Sequence, residues 1–522
     1  MRATKKLSRR RPARRARALM VLGTASHVGK SVLVAALCRI LKQDGFGVAP
    51  FKAQNMALNS AATPEGLEIG RAQALQAEAA GIAASVDMNP ILLKPCGDSR
   101  SQLVVQGRAM GDIGAAEYHR QRVHTLFGTV TESYERLASR YDVIVLEGAG
   151  SPAEVNLAKS DIVNMRMARA ADAACLLVAD IDRGGVFASL VGTQALLSPA
   201  DRRRIRGFVV NRFRGDADLF RPGARFLERR LSRPCLGVVP FLKDIGLDEE
   251  DSVALDGRAA SWPDENGPDR RLRVAVVRLP RLSNFTDFDP LRAEASVALR
   301  FVPRAALLAD ADVVILPGSK QTLDDLAWLE DEGFAAALRA HAARGRCVVG
   351  ICGGLQMLGR EVADPHGVEG GGSRTGLGLL GLRTVLDREK VTVRASATLE
   401  TPDLLGSPTG TGAAQGYEIH LGTTEYDAGT RPLFRITREG TETPVTDGAR
   451  DGSGKIMGTY LHGLFDSDAF RHRMIRGWRA AAGLAAPAVL APYAALRERR
   501  LDRWADHVRE ALDVERIERW IR

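Results

Sequence analysis

The sequence predicts an α/β protein in which a parallel-sheet domain is followed along the chain by a second α/β domain. Apolar runs of strand length alternate with helical stretches from residue 18 to about residue 241. The alternation stops in a polar, acidic segment and starts again at residue 271. Near-continuous apolar strands separated by helices are typical of parallel sheets that helices cover on both faces. A chain of 522 residues has room for two or three domains at roughly 100–200 residues each.

The first domain is expected at residues 18–250 and the linker that follows it at residues 251–270. The predicted strands are the apolar runs at 18–23, 141–148, 173–180, 205–211 and 234–241. The predicted helices include residues 30–43, 68–84 and 216–231. Helical stretches between strands return the chain to the same edge of the sheet, as a parallel arrangement requires.

The second domain is expected at residues 271–482, with a helical extension at 483–522. Predicted strands lie at 271–280, 311–319 and 347–354, a helix near 322–343, and a later strand-like segment that ends with residues 456–465. Residues 366–376 are rich in glycine and predict a surface loop. From about residue 467 the chain is rich in Ala, Arg and Leu, which favours helix.

The positive charge of the protein is concentrated at its start. The net charge is +10, and residues 1–17 hold nine Lys or Arg and no acidic residue. The remaining 505 residues therefore carry about +1, which gives no reason to expect a nucleic-acid partner. We expect residues 1–17 to be a disordered tail, and the sequence leaves open whether that tail has a function.

Composition also bears on the cellular compartment. The tail lacks the apolar core of a secretory signal, and no apolar run approaches the roughly 18 residues that a membrane-spanning helix needs. The six cysteines form no Cys-x-x-Cys pair, so they indicate neither a disulfide framework nor a zinc site. These observations predict a cytoplasmic protein without a membrane span, and they say nothing of its oligomeric state.

The segment "GTASHVGKS", residues 23–31, lies between the first predicted strand and the first predicted helix. A glycine-rich loop in this position holds phosphates with backbone N–H groups, while its Lys and Ser reach the phosphates and Mg²⁺. The alternative is a glycine turn that only joins strand to helix. The loop resembles that of dethiobiotin synthetase and its relatives, which use ATP to activate a carboxylate. The nucleotide-binding residues that we predict are Thr24, Gly29, Lys30 and Ser31, with Ser31 also a Mg²⁺ ligand.

Polar residues end three other predicted strands of the first domain. Ligands of open α/β sheets bind at the carboxyl ends of the strands. Glu147, at the end of a buried strand, is therefore a predicted Mg²⁺ ligand. The other polar residues at this edge are expected to contact substrate or phosphates, with a solvated surface loop as the alternative. They are Lys52, Gln54, Asn55, Asp180, Asp182 and Arg183.

The second domain contains "GICGGLQMLG", residues 350–359, with Cys352 between glycines after an apolar strand. A cysteine on such a turn lies at a helix N-terminus, where the dipole and backbone N–H groups favour the thiolate. The N–H groups of Gly353 and Gly318 are candidate oxyanion donors. A thiol nucleophile needs a base, and we predict His462, with His420 as the competitor. The alternatives are a buried structural cysteine and a loop histidine.

The motif around Cys352 resembles the nucleophile turn of class I glutamine amidotransferases, which release ammonia from glutamine with Cys and His. Most of that class carry Glu two residues after the His, whereas this chain has Leu464 there. This departure is similar to the branch that contains cobyric acid synthases and cobyrinic acid a,c-diamide synthases. It leaves open which group orients His462.

Further segments resemble the cobyric acid synthase family: "FKAQNMALNS", "DIDRGGVFASL", "RLPRLSNFTDFDPL", "LPGSKQT" and "GYEIHLG". The resemblance implies ATP- and glutamine-dependent amidation of the b, d, e and g carboxylates of adenosylcobyrinic acid a,c-diamide in cobalamin biosynthesis. The corrin is then a substrate, ATP a cosubstrate and Mg²⁺ a cofactor. One alternative is a cobyrinic acid a,c-diamide synthase or another carboxylate amidotransferase. An alternative of a different class is a P-loop ATPase that acts as a regulatory or binding module beside a degenerate amidotransferase domain.

Overall fold

A computed structural model describes residues 15–97, 99–118, 123–243, 245–247, 262–401, 404–406 and 412–522. Most of the predicted basic tail, residues 1–14, lies outside the described residues. Residues 248–261, which contain the first part of the predicted linker, also lie outside them. The described chain begins just before the first strand, and the backbone N–H of Ala16 already donates to the carbonyl of Ala138 (3.0 Å).

The first domain contains twelve strands and eight helices among its described residues. The strands are β1 (Arg17–Gly23), β2 (Val48–Phe51), β3 (Gln54–Met56), β4 (Ser60–Ala62), β5 (Glu68–Gly70), β6 (Ile91–Pro95), β7 (Arg100–Val105), β8 (Arg108–Gly114), β9 (Val143–Glu147), β10 (Ala174–Asp180), β11 (Ile205–Phe213) and β12 (Cys235–Pro240). The helices are α1 (Lys30–Gln43), α2 (Arg71–Ala80), α3 (Ala115–Glu117), α4 (Val123–Ala138), α5 (Met165–Ala170), α6 (Val186–Leu196), α7 (Pro199–Arg204) and α8 (Arg221–Leu231).

Six of these strands form one sheet in the order β12-β11-β10-β1-β9-β2. Every neighbouring pair is parallel. The central strands are buried along nearly their whole length, because helices cover both faces of the sheet. The carboxyl ends of β1, β2, β9 and β10 therefore meet at one edge, as the sequence predicts.

The segment between β2 and β9 forms two smaller sheets that the sequence did not predict. One has the strand order β3-β6-β7-β8, and the other pairs β4 with β5. The predicted helix at 68–84 is correspondingly shorter, because Glu68–Gly70 pairs with β4 as a strand and the helix begins at Arg71.

The second domain and the C-terminal extension contain twelve described strands and seven described helices. The strands are β13 (Leu272–Val277), β14 (Val297–Val302), β15 (Val313–Leu316), β16 (Cys347–Ile351), β17 (Glu361–Asp364), β18 (Gly372–Thr375), β19 (Leu382–Leu399), β20 (Ala413–Tyr426), β21 (Arg431–Arg438), β22 (Val445–Arg450), β23 (Ile456–Thr459) and β24 (Leu461–His462). The helices are α9 (Asp289–Arg292), α10 (Thr322–Asp331), α11 (Phe334–Ala343), α12 (Gly353–Leu358), α13 (Asp468–Ala481), α14 (Tyr493–Ala511) and α15 (Val514–Ile521).

The second domain is built on one mixed sheet. Strands β14, β13, β15, β16 and β23 are parallel neighbours, and antiparallel strands extend the sheet beyond β23. Strand β16 lies inside the parallel part, so the turn that follows it opens at the carboxyl edge. This arrangement confirms the predicted fold class: a parallel-sheet α/β domain followed by a second α/β domain.

The C-terminal helices return to the first domain. The indole N–H of Trp504 on α14 donates to the carbonyl of Val32 on α1 (2.7 Å). Arg39 on α1 forms ion pairs with Glu498 (2.6 Å) and Asp502 (2.8 Å) of α14. The extension after the second domain is therefore a packing element of the first. In the part of the chain that the structure describes, no helix has the length and apolar character needed to cross a membrane.

Candidate active sites

The phosphate loop connects β1 to α1, as predicted. Gly29 precedes α1 with φ +93°, a left-handed conformation that favours glycine. A Cβ at this position would also lie 2.3 Å from Asn211 Nδ2. At the other end of the loop, the backbone N–H of Thr24 donates to the carbonyl of Val178 on β10 (2.9 Å). The loop is thus fixed to two neighbouring strands of the sheet.

Lys30 lies at the start of α1 and is buried. Its ammonium group donates to the carbonyls of Ala25 (2.9 Å) and Gly150 (3.2 Å). Both acceptors are backbone carbonyl oxygens of loops at the carboxyl edge of the sheet. An ammonium group held there is placed to reach a phosphate in the loop.

Glu147, at the end of β9, lies at the centre of a buried polar cluster. Its Oε1 accepts hydrogen bonds from Ser31 Oγ (2.8 Å) and Lys52 Nζ (2.8 Å), and its Oε2 accepts one from Gln76 Nε2 (2.6 Å). Gln76 Oε1 is buried beside this carboxylate and has no hydrogen-bond partner. Carboxylate, hydroxyl and amide oxygens are suitable ligands for a hard cation such as Mg²⁺.

A cavity of about 1310 Å³ opens beside the phosphate loop. The predicted residues that line it come from four strand ends or loops of the first domain: Gly29, Lys30, Ser31, Lys52, Asn55, Glu147, Asp182 and Arg183. Asp289 and Arg292 of the second domain and Arg500 and Trp504 of α14 also line it. All three parts of the chain therefore contribute to one space.

Three predicted site residues of the first domain do not line this cavity. Gln54 accepts a hydrogen bond from the Tyr118 hydroxyl. Asp180 is buried and forms an ion pair with Arg212 (2.9 Å). Thr24 lies at the start of the loop, with its N–H already bonded within the sheet. Gln54 and Asp180 thus have protein partners in this structure, and any contact that the three residues make with a ligand stays a prediction.

Cys352 lies on a sharp turn between β16 and α12. Its φ is +53°, a strained value for a residue with a side chain. The turn is packed so closely that a Cβ on Gly354 would lie 1.9 Å from the carbonyl oxygen of Leu316. The N–H of Cys352 donates to the carbonyl of Thr459 (2.8 Å), and its Sγ lies 3.5 Å from the carbonyl oxygen of Ile419. The backbone thus fixes the direction of the thiol.

His462 lies beside Cys352 and is fully buried. Its Nδ1 is 2.6 Å from Asp287 Oδ2, and the N–H of Gly463 donates to Asp287 Oδ1 (3.2 Å). Burial alone would lower the pKa of His462. The negative charges of Asp287 and Cys352, together with a hydrogen bond to each, outweigh burial and raise this pKa to about 10. The imidazolium is therefore favoured next to the thiol.

The remaining predicted residues of this site also have defined positions. A Cβ on Gly318 would lie 3.3 Å from His462 Cε1, and one on Gly353 would lie 3.0 Å from the backbone nitrogen of Ser319. Both glycines thus border the Cys–His pair. The competitor His420 instead stacks on Tyr460, with ring centroids 3.9 Å apart, and lies 3.4 Å from Glu418. The structure pairs Cys352 with His462.

Asp287 is the main functional residue that sequence reasoning missed. Most class I amidotransferases have an acidic residue two positions after the histidine, where this chain has Leu464. Here Asp287 is the acidic residue that contacts His462, although it lies 175 residues before His462 in the chain. The segment "SNFTDFDP", which contains Asp287, resembles the family but does not by itself indicate a role for this residue. Two acids among its apolar residues were the available signal, and nothing in the sequence connected either of them with His462.

Two family models match successive parts of the chain. Residues 19–253 match the CobQ/CobB/MinD/ParA nucleotide binding domain, and residues 273–470 match the CobB/CobQ-like glutamine amidotransferase domain. The cobyric acid synthase of Syntrophobacter fumaroxidans is 51% identical over 97% of this chain and 99% of its own length. That of Moorella thermoacetica is 49% identical over 96% of each chain.

Fold, sites and domain matches define a glutamine amidotransferase joined to a P-loop nucleotide-binding domain. The phosphate loop lies in the part of the chain that matches the nucleotide binding domain, and the thiol centre lies in the part that matches the amidotransferase domain. The chain belongs to the cobyric acid synthase family. It is a glutamine-hydrolysing carbon–nitrogen ligase of cobalamin biosynthesis, as its sequence predicts.

Proposed function

We propose that this chain converts adenosylcobyrinic acid a,c-diamide to adenosylcobyric acid by amidating the b, d, e and g carboxylates. The observation that carries the proposal is the pair of sites in one chain. Cys352, His462 and Asp287 form a centre that releases ammonia. Lys30, Ser31 and Glu147 line a cavity suited to a nucleotide and a carboxylate substrate.

In the glutaminase half-reaction, the Cys352 thiolate attacks the side-chain amide carbon of glutamine. The C–S bond forms, and the carbonyl oxygen becomes an oxyanion beside the N–H groups of Gly353 and Gly318. The His462 imidazolium then gives its proton to the departing nitrogen, so the C–N bond breaks and ammonia leaves. Water, deprotonated by the neutral His462, hydrolyses the thioester to glutamate. Asp287 orients the ring and stabilises its charged form.

In the synthetase half-reaction, a carboxylate oxygen of the substrate attacks the γ-phosphorus of ATP and displaces ADP. Ammonia then attacks the acyl carbon of the acyl phosphate, and inorganic phosphate leaves. Lys30 is placed to offset phosphate charge. Mg²⁺, which neutralises phosphate charge when bound, would be held by Ser31 and Glu147, and the unpaired oxygen of Gln76 supports that fit.

The corrin substrate is assigned to the same cavity. Its volume of about 1310 Å³ exceeds the common range for one small ligand, about 300–1,000 Å³. Lys52, Asn55, Asp182 and Arg183 lie at the edge where a substrate carboxylate would approach the nucleotide. Glutamine and the corrin are then the two small-molecule partners besides ATP. All six cysteines are unpaired thiols, which supports the predicted cytoplasmic location.

The test is mass spectrometry of the corrin product formed by purified protein with ATP, Mg²⁺ and glutamine. Each amidation replaces one OH by NH₂, so the number of amides is read directly from the mass. Four additions to the a,c-diamide support the proposal. A protein that amidates only the a and c positions of cobyrinic acid would instead be the related diamide synthase. A glutaminase-inactive chain would support a regulatory module.

A further inference from the structure

Ser60 of the first domain contacts two side chains that lie next to His462, those of Asn284 and Tyr417. The backbone N–H of Ser60 donates to Asn284 Oδ1 (2.9 Å), and the backbone carbonyl of Ser60 accepts a hydrogen bond from the Tyr417 hydroxyl (3.2 Å). Ser60 belongs to β4 of the first domain, whereas Asn284 and Tyr417 belong to the second. All four residues, including His462, are buried.

Asn284 and Tyr417 reach His462 from different sides. Asn284 Nδ2 lies 3.4 Å from His462 Nδ1, the same ring nitrogen that Asp287 contacts. The Tyr417 ring stacks on the imidazole, with centroids 5.5 Å apart and planes inclined by 17°. One contact therefore bears on the edge of the imidazole and the other on its face.

The turn that carries Asp287 is held from the first domain as well. The N–H of Phe285 donates to Asn59 Oδ1 (3.3 Å), and the N–H of Asp287 donates to the carbonyl of Asn284 (3.0 Å). Asn284 has φ +52°, a left-handed conformation that Asn tolerates better than most residues. Asn59 and Ser60 thus contact the turn next to the residue that orients the histidine.

Ser60 is itself firmly held. Its Oγ donates to Glu68 Oε1 (2.7 Å) and accepts from Lys94 (3.0 Å). The same carboxylate pairs with Lys94 (2.6 Å) and with Lys390 of the second domain (2.6 Å). These groups are buried and mutually paired, and breaking such a network is costly. The backbone N–H and carbonyl of Ser60, which bond to Asn284 and Tyr417, are therefore held in fixed positions.

We propose that the first domain positions the histidine of the thiol centre: the Ser60 backbone, acting through Asn284 and Tyr417, sets the position of the His462 ring. Asn284 and Tyr417 are then positioning residues for glutamine hydrolysis, and the glutaminase centre is complete only when the two domains are in contact. This inference rests on the proposed function, because it assigns His462 to proton transfer.

The principal test is Tyr417→Phe in the full-length protein. The substitution keeps the ring that stacks on His462 and removes the hydroxyl that bonds to Ser60. Because small misplacements of a proton-transfer group are costly, we expect the glutaminase kcat to fall about tenfold. The KM for glutamine and the amidation rate with ammonium chloride should not change. Asn284→Gly, which permits the positive φ, should lower kcat by at least the same factor.

One measurement and one control variant separate a positioning role from a general structural effect. The pH profile of Cys352 alkylation by iodoacetamide should move to higher pH in both variants, because a displaced imidazolium assists the thiolate less. The charged groups that act on His462 are Asp287 and Cys352, and both stay in place. Tyr134→Phe removes another buried hydroxyl, one without a hydrogen-bond partner in the first domain, and should change neither kcat nor the alkylation profile.

Folded Tyr417→Phe and Asn284→Gly proteins with wild-type kcat and alkylation profiles would overturn the positioning role. A fall in kcat of the same size in Tyr134→Phe would also overturn it. The failure of the proposed function is recognised separately: there, wild-type glutaminase activity would be absent or would survive Cys352→Ala.

Discussion

The two candidate active sites of this chain, the thiol centre and the nucleotide cavity, are built in different ways. At the thiol centre, the backbone turn fixes Cys352, and Asp287 is already bonded to His462. At the nucleotide cavity, the charged groups are bonded to other groups of the protein: Lys30 to backbone carbonyls, and Lys52 to Glu147. The proposed reacting groups of the first centre are thus oriented by protein contacts, whereas those of the second are bonded to one another and to backbone carbonyls.

This difference shows how reaction chemistry relates to structure. Glutamine hydrolysis uses protein groups as nucleophile and base, so their relative positions must be set in the folded chain. Phosphoryl transfer uses the nucleotide and a bound cation, so the protein supplies a cavity and charges that become fully placed with the ligand. Variants of the two centres should therefore have separable effects.

The largest effect is expected from Cys352→Ala. In the proposed mechanism the thiolate is the nucleophile, so its loss should lower glutamine-dependent amidation by about 10⁵-fold or more. Amidation with ammonium chloride should remain near the wild-type rate, because Cys352 does not line the nucleotide cavity. The two rates are measured by corrin product formation at saturating ATP. Equal loss of both activities in a folded protein would contradict the separation of the centres.

Asp287→Asn should have the next largest effect. Asn keeps the size of the side chain but loses the charge that raises the pKa of His462 to about 10. Burial then lowers this pKa, so the imidazolium is lost at a lower pH than in the wild type. We expect the glutaminase kcat to fall by about 10³-fold, and alkylation of Cys352 by iodoacetamide to require higher pH. Wild-type kcat and an unchanged alkylation profile would remove Asp287 from the mechanism.

Lys30→Ala tests the other centre. Loss of the ammonium group should lower amidation from either nitrogen source by about 10²- to 10³-fold. Basal glutamine hydrolysis should persist, because Lys30 is not part of the thiol centre. Glutamate release and corrin amidation, measured in the same reaction, give both numbers. Full ammonia-dependent turnover would show that the phosphate loop is only a structural turn.

The smallest effect is expected from deletion of residues 2–14. The deletion lowers the net charge from +10 to +3, since seven of the nine cations are removed. It spares Arg15, which pairs with Glu135 (2.5 Å), and Ala16. Kinetics and thermal stability should not change at either centre. A several-fold rise in the KM for the corrin, largest at low salt where screening is weakest, would show that the tail binds the anionic substrate.

The features that could be predicted from the sequence are those that depend on residues close together in the chain. Helix α1 has both ends where the apolar pattern predicted, at residues 30 and 43. The predicted helix at 322–343 is two helices, because Gly333 adopts φ +74° between them. Lys30, Cys352 and His462 lie in short motifs that could be interpreted without knowing the fold.

The missed features depend on contacts between distant segments. Asp287 reaches His462 across 175 residues, and Ser60 reaches Tyr417 across 357. No periodicity or spacing connects such positions in a single sequence. The extension at 483–522 was predicted to be helical but could not be placed, because its apolar face does not specify the surface that it covers.

The contact between α1 and α14 joins a helix that is synthesised early to one that is synthesised much later. Trp504 bonds to Val32 across 472 residues, so at about 5–20 residues per second the ribosome needs on the order of a minute to supply the partner of α1. The apolar face that α1 presents to α14 lacks this cover during that time. The phosphate loop is therefore made well before Arg500 and Trp504 of α14, which line the same nucleotide cavity.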